Sequence, residues 1–153
     1  MTRALTRAAA AFWLLIPAFS ASVVAGAQTV CLTVETEERK AVFEVAVGES
    51  LSLAFTHSIY DSRVEEQFRV GARGFHPVRV RYAEQRLVEF YGHESARRDG
   101  GWWVVDGTGA ELAALELRAS EDAFMLVLIG DRQISFGAHG RLSVSACPQQ
   151  NHG

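Results

Sequence analysis

The sequence contains few cysteines, few prolines and no cluster of basic residues. It contains two cysteines and three prolines among 153 residues, so it is neither a disulfide-rich scaffold nor a cysteine-ligated zinc domain. Its most basic pair, Arg97-Arg98, is followed at once by Asp99 and two glycines, and the formal net charge is −3. Such a chain lacks the basic surface that neutralises phosphates, which excludes nucleic-acid binding as its function.

Motifs for catalysis and metal binding are also missing. None of the five histidines is spaced H-x-H or H-x-x-x-H, and there is no glycine-rich phosphate loop and no G-x-S-x-G elbow. We therefore predict a non-enzymatic protein with no catalytic residues, no metal and no cofactor. A small hydrolase, or a metal site assembled in three dimensions from His57, His93 and Glu65, is the alternative left open.

The longest apolar run is at the N-terminus. Residues 8–19 (AAAAFWLLIPAF) follow Arg3 and Arg7, and residues 25–27 (AGA) form an A-x-A cleavage site. We predict a signal peptide over residues 1–27, with a permanent membrane anchor as the alternative. Cleavage would leave a chain of formal charge −5 beginning at Gln28, periplasmic or secreted, without a stable membrane span.

The two cysteines are Cys31 and Cys147, near opposite ends of the predicted mature chain. Leu32 and Val34 alternate with Cys31, so the thiol leaves the face of its strand opposite to the apolar one, and Cys147 is related in the same way to Leu142 and its alternate neighbours. An exported protein with an even number of cysteines favours a disulfide. We predict a Cys31–Cys147 disulfide between neighbouring terminal strands, and two free thiols are the alternative.

Apolar and polar residues alternate with a period near two through most of residues 28–147. Glycine and aspartate turn signals separate the runs at short intervals, which is typical of a β-sandwich or barrel. We predict an all-β fold, a single compact antiparallel β-sandwich or barrel of short strands, over residues 28–147, and a disordered tail over residues 148–153. The predicted strands are 30–35, 41–47, 51–57, 63–70, 77–82, 86–91, 102–105, 112–118, 124–129, 133–136 and 142–146.

Two segments allow more than one interpretation. Residues 109–121 also have helical spacing, and we assign a strand there. Residues 124–130 (FMLVLIG) are apolar in both alternating sets, which indicates a central strand covered on both faces or a wall of a closed sheet.

The densest polar cluster lies at one predicted hairpin, residues 56–66 (THSIYDSRVEE). Because the ends of both strands meet there, several side chains could line a site for a small molecule or carboxylate. The candidate ligand-binding residues are His57, Ser58, Tyr60, Arg63, Glu65 and Glu66. The alternative is a scaffold in which His57, on the apolar face with Phe55, is hydrogen-bonded to a glutamate or the turn backbone. Adjacent strand residues face opposite ways, so His57 and Ser58 are a poor base and nucleophile.

The pair Trp102-Trp103 follows two glycines. On a strand, one indole faces the core and the other is exposed or lies at a contact. Core packing and a partner surface are both open for this pair.

Residues 55–60 (FTHSIY) and 64–70 (VEEQFRV), followed by residues 101–104 (GWWV), resemble a family of uncharacterised small exported bacterial and archaeal domains. Members of that family are often encoded beside components of TAXI-type TRAP transporters. The resemblance is close over residues 51–70 and loose over most of the remaining mature chain. It departs at residues 90–94 (FYGHE), where a glycine-rich stretch is expected.

This resemblance implies a periplasmic context in solute uptake, with TRAP-type transporter subunits or a small solute as partners. It also implies that His57, Ser58 and Glu65 or Glu66 matter for function. We predict a non-catalytic periplasmic accessory or binding module. The alternative is a structural or interaction domain of the cell envelope.

Overall fold

The structure is a computed structural model that describes residues 28–107, 109–118, 125–137 and 139–148. The predicted signal peptide and residues 149–153 of the predicted tail lie outside these ranges. Among the described residues, no helix has the length and apolar character needed to cross a membrane.

Eleven strands and one short helix make up the described chain. The elements are β1 (Thr29–Thr36), β2 (Lys40–Ala46), β3 (Ser50–His57), β4 (Ser62–Val70), β5 (Phe75–Tyr82), α1 (Gln85–Phe90), β6 (Arg97–Asp99), β7 (Trp102–Asp106), β8 (Ala114–Arg118), β9 (Met125–Ile129), β10 (Arg132–Phe136) and β11 (His139–Ser145).

The strands form two antiparallel sheets that pack face to face. The smaller sheet has the order β2-β1-β11-β8, and the larger has the order β10-β9-β3-β4-β5-β7-β6. This arrangement confirms the predicted all-β sandwich. One β-bulge interrupts the register between β4 and β5 at Gln67 and Phe68.

The core lies between the two sheets and is built from alternate residues of each strand. On β1, Val30, Leu32 and Val34 point inward and are almost fully buried, as are Leu51 and Leu53 on β3. We call the core side of the larger sheet its inner face and the opposite side its outer face. The period of two in the sequence is thus the alternation between these faces.

The helix α1 covers part of the inner face that the smaller sheet does not. Leu87 and Val88 are buried and pack with Val64 and Tyr82 in a second apolar cluster. The predicted strand over residues 86–91 is therefore wrong. The sequence pattern of six residues is compatible both with a short helix and with a short strand. The side chain of Gln85 donates a hydrogen bond to that of Glu89, four residues later, and this contact favours the helix.

Two strand assignments can be compared with the sequence analysis. The ambiguous segment contains β8, so the strand assignment is confirmed over residues 114–118. Strand β9 lies between β10 and β3, but Leu126 and Leu128 on its outer face are partly exposed. The expectation that this strand is covered on both faces is wrong.

The three-residue strand β6 was not predicted because all three of its side chains are charged and exposed.

The Cys31–Cys147 disulfide is present, with the two Cα atoms 4.9 Å apart. Strands β1 and β11 are antiparallel neighbours, and Cys31 lies opposite Ser145. Both halves of the prediction, the bond and the pairing of the terminal strands, are therefore confirmed.

Candidate functional site

The predicted hairpin joins β3 to β4, and its turn brings the strand ends together. His57 on β3 lies opposite Ser62 on β4. The turn requires a left-handed backbone at Asp61, whose φ is 48°, a conformation that aspartate tolerates better than most residues. Ser58 and Ile59 are exposed at the tip. The sequence therefore placed the hairpin correctly.

The six candidate residues do not form one site, because strand alternation divides them between two faces. His57 and Glu66 lie on the inner face, whereas Arg63 and Glu65 lie on the outer face. Tyr60 stands at the turn on the inner side, with its ring stacked 5.4 Å from the ring of His57. Two separate surfaces must therefore be considered.

His57 is surrounded by aromatic rings. The side chains of Tyr60, Phe90 and Tyr91 lie with ring centroids 5.1–5.7 Å from the imidazole. His57 is 9% exposed, and its Nδ1 is buried with no hydrogen-bond partner among the described residues. Nδ1 therefore does not form the predicted hydrogen bond to a glutamate or to the turn backbone.

Glu66 is an acidic residue among apolar ones. It follows Val64 and precedes Phe68 on the inner face of β4, beside the bulge, and lies opposite Leu53 and Val80 on the flanking strands. Burial raises the pKa of its carboxyl group. No described residue donates a hydrogen bond to it in the structure. β-Bulges are over-represented next to active sites, where they change the direction of a side chain.

His57 belongs to a group of rings on the inner face that we call the aromatic cluster. Its members are His57, Tyr60, Tyr82, Phe90, Tyr91 and His93.

Tyr91 stacks within the aromatic cluster and is also affected by the charge of Glu66. Its ring is 5.7 Å from that of His57 and 5.5 Å from that of Tyr82. Burial and the charge of Glu66 raise the pKa of Tyr91, and burial, Tyr91 and Glu66 together raise the pKa of Tyr82. The Tyr82 hydroxyl and His93 Nε2 share a hydrogen bond of 2.8 Å. The carboxyl of Glu66 therefore acts on both tyrosines.

Tyr82, Phe90 and Tyr91 were not among the predicted site residues, and His93 was named only in the metal alternative. The signal was present in residues 90–94, the stretch that departs from the resembling family. Phe90 and Tyr91 are 48% and 44% exposed at the end of α1. Exposed aromatic side chains on a turn that follows a polar hairpin indicate a binding surface.

A pair of charged residues holds α1 against the hairpin. Arg86 donates to the backbone carbonyl of Tyr60 at 2.8 Å, lies over the Tyr60 ring, and is paired with Glu84 at 2.6 Å. The hydrogen bond from Arg86 lowers the pKa of the Glu84 carboxyl. The position of Tyr60 thus depends on the helix, not on the turn alone.

The outer face presents a different arrangement around Trp102. The guanidinium carbons of Arg63 and Arg81 lie 5.3 and 4.7 Å from the centre of the Trp102 ring. Arg81 is also paired with Glu65 at 3.0 Å. Trp103 faces inward and packs against the second apolar cluster. One indole thus packs inside and the other lies on the outer face, as expected for neighbours on a strand.

The metal alternative does not fit this geometry. Glu65 is on the outer face and His57 on the inner face, so the trio with His93 does not converge. Within the described ranges, no three His, Cys, Asp or Glu side chains are close enough to hold a metal ion. Ser58 is exposed and His57 buried, so the two do not form a base and nucleophile pair.

Comparison with known proteins adds no relative to this description. No family model matches the chain, and no curated protein and no solved structure is similar to it. The aromatic cluster and the outer face are therefore the features that indicate function.

Proposed function

We propose that this protein is a non-catalytic extracytoplasmic binding module, an accessory to a TRAP-type solute transporter, that holds a small solute at the aromatic cluster. One observation carries the proposal. The buried imidazole of His57 has no hydrogen-bond partner for Nδ1 among the described residues, and its ring lies 5.7 Å from that of Tyr91. Glu66, half-buried on the same face, raises the pKa of Tyr91 by its charge, after the larger effect of burial. Buried polar groups are normally partnered, and a bound ligand is one way to supply the partner.

The chemistry of the cluster narrows the solute. Ring faces attract cations and pack against apolar groups, and the carboxyl of Glu66 accepts hydrogen bonds when ionised. A solute with an amine beside an apolar or ring-shaped body satisfies both. The exposed rings of Phe90 and Tyr91 form the rim of the cluster.

The extracytoplasmic location and the transporter association are supported by observations outside the aromatic cluster. The Cys31–Cys147 disulfide is typical of an oxidising compartment. The resemblance of residues 55–70 to exported domains encoded beside TAXI-type TRAP components supports the transporter. Pull-down of the tagged full chain from native membranes should recover TRAP-type membrane subunits, and recovery of none would contradict the association without touching the solute site.

The solute site is tested by thermal stability in a panel of phenethylamine, choline, phenylacetate and succinate. We expect phenethylamine to raise the melting temperature of the wild-type protein, Glu66→Gln to abolish the rise, and Glu65→Gln, one residue away on the outer face, to keep it. A rise of equal size in all three proteins, or no rise with any compound, would contradict the site.

The outer face favours a second function, that of an interaction domain of the cell envelope. Arg63 is exposed, lies over Trp102 and has no carboxylate partner within the described residues. Tryptophan and arginine are enriched in the energetic centres of protein interfaces. Arg63→Glu should then abolish recovery of the membrane subunits while leaving the effect of phenethylamine on stability unchanged.

A further inference from the structure

A second recess lies between the edges of the two sheets, away from the aromatic cluster. Strand β2 is one of the two edge strands of the smaller sheet, and β10 is one of the two edge strands of the larger sheet. The recess between them, which we call the edge cleft, has a volume of about 520 Å³. It is lined by Val34, Arg39, Ala41, Phe43, Arg132, Gln133, Ile134 and Ser135. Its volume is within the range of about 300–1,000 Å³ that is usual for small-molecule sites.

The interior of the edge cleft is apolar because it continues the core. Ala41 and Phe43 lie opposite Val34 and Leu32 of β1, so they face inward. Ile134 lies opposite the fully buried Val127 and also faces inward. Phe43 and Ile134 pack against the core yet are only partly buried. This strip of apolar surface is one strand wide on each side.

The charged groups of the edge cleft are all positive. Arg39 and Arg132 line it, and no acidic residue does. The Arg132 guanidinium lies 5.6 Å from the centre of the Phe43 ring, and Arg39 Nη2 donates to the Ser135 carbonyl at 3.5 Å. Glu37 and Glu38 line a neighbouring recess of about 210 Å³ that shares Arg39.

Neither guanidinium of the edge cleft has a carboxylate within 4.0 Å in the described part of the chain. Most of the ion pairs elsewhere use arginine, and the arginines that form them are Arg81, Arg86, Arg97 and Arg141. Two arginines that face an apolar recess are therefore available to an anion from outside. Guanidinium groups bind carboxylates through short, charge-assisted hydrogen bonds.

We propose that the edge cleft binds an amphipathic anion with a single alkyl chain, whose charged head is held by Arg39 and Arg132 and whose chain lies along Phe43 and Ile134. The apolar strip is narrow enough to accommodate a single alkyl chain. The two arginines beside it are positively charged and therefore favour a negatively charged head group. This site is distinct from the aromatic cluster and does not depend on the function proposed for it.

The test is isothermal titration calorimetry with decanoate, below its micelle concentration, on the purified protein. We expect decanoate to bind and decyltrimethylammonium, with the same chain and opposite charge, not to bind. Arg39→Gln and Arg132→Gln should each weaken decanoate binding about tenfold, the loss of one charge-assisted contact. Arg118→Gln, an exposed arginine on β8 of the smaller sheet, is the matched control and should change nothing.

A second variant tests the position of the chain. Ala41→Phe places a ring in the edge cleft without removing either arginine, and it should abolish decanoate binding while circular dichroism confirms the fold. If the Ala41→Phe variant fails to fold, the two arginine variants test whether decanoate binds in the edge cleft. Absence of decanoate binding, equal binding of decyltrimethylammonium, or full binding by both arginine variants would overturn the proposal.

Discussion

Glu65 and Glu66 are adjacent in sequence, but their carboxyl groups lie on opposite faces of the larger sheet. Glu65 is paired with Arg81 at 3.0 Å and accepts a hydrogen bond from Gln67 at 2.6 Å. Glu66 lies inside, among apolar residues, and burial raises its pKa. Glu65 is thus a paired carboxylate, and its neighbour Glu66 is not paired with any described residue. Substitution of each residue by glutamine therefore allows the two carboxyl groups to be compared.

Glu66→Gln should stabilise the protein at neutral pH. Because burial raises the pKa of Glu66, the folded protein holds this proton more tightly than the unfolded chain does. The stability contributed by the carboxyl is therefore fully present below its unfolded pKa, about 4.3, and is lost as the pH rises through the higher folded value. We expect the variant to be more stable than the wild type by on the order of 1 kcal/mol at pH 7, and equal to it near pH 3.5.

Urea denaturation at both pH values measures this difference, with Glu65→Gln as the control. That variant breaks the pair with Arg81 and should be slightly less stable at pH 7. A Glu66→Gln protein that is less stable than the wild type at pH 7 would show that the carboxylate has a partner in the folded state.

His57→Phe should keep or raise stability, and His57→Ala should lower it by about 1–3 kcal/mol. The imidazole packs against the rings of Tyr60, Phe90 and Tyr91 but forms no hydrogen bond with a described residue through Nδ1. Phenylalanine preserves the ring contacts and removes a buried unpartnered atom, whereas alanine removes the contacts. Equilibrium unfolding of both variants is the measurement, and equal losses in both would show that the imidazole nitrogens are hydrogen-bonded.

Removal of the disulfide should cost about 2–5 kcal/mol. The bond joins residues separated by 116 positions, so it restricts a long loop of the unfolded chain. Guanidinium unfolding of the Cys31→Ser/Cys147→Ser variant should show the loss, and added reductant should destabilise the wild type but not the variant. Ready alkylation of both thiols in folded wild-type protein without reductant would contradict the bond.

Tyr60→Ala and Arg63→Ala should affect different properties, although the residues are three apart. Tyr60→Ala removes a ring from the aromatic cluster and the platform for Arg86, and it should abolish stabilisation by phenethylamine. Arg63→Ala removes an exposed side chain, should change the free energy of unfolding by less than about 0.5 kcal/mol, and should weaken recovery of membrane subunits. Loss of the same property in both variants would mean that the hairpin forms one site after all.

The molecular mass of the protein tests whether it is exported and cleaved. Intact-mass analysis of periplasmic protein should give a chain that begins at Gln28, because residues 25–27 provide the cleavage site. Full-length protein retained in the membrane would instead favour the anchor.

The sandwich was predictable because most strands alternate between apolar and polar residues. The inward residues Leu51 and Leu53, and Leu115 and Leu117, follow every second position. The error at α1 arose where the pattern is too short to distinguish periods of 2 and 3.6, since only Leu87 and Val88 are buried. Strand β9 was misjudged because an apolar side chain, such as that of Leu128, does not by itself mean that its face is covered.

The candidate site was predictable only in part. The polar sequence of the hairpin predicted His57, Tyr60 and Glu66 as site residues. It also predicted Arg63 and Glu65, but strand alternation places these two on the outer face. Tyr82 and Tyr91 could not be assigned to His57 from the sequence, because their proximity depends on how α1 folds back over β5. The contact between His57 and Tyr91, which are far apart in the sequence, is a tertiary property.

The pairing of β1 with β11 also determines when the smaller layer can exist. Strand β1 is held between β2 and β11, and β8 is attached to the sheet only through β11. A chain threaded through a membrane from its N-terminus could form the β1–β2 hairpin early, yet it would have no continuous second layer until residues 139–148 had crossed. Contacts between such distant segments are slow to form. In an exported chain, the order of the strands would thus delay completion of the smaller sheet until β11 has crossed, and the disulfide would then join the first strand to the residues just beyond β11.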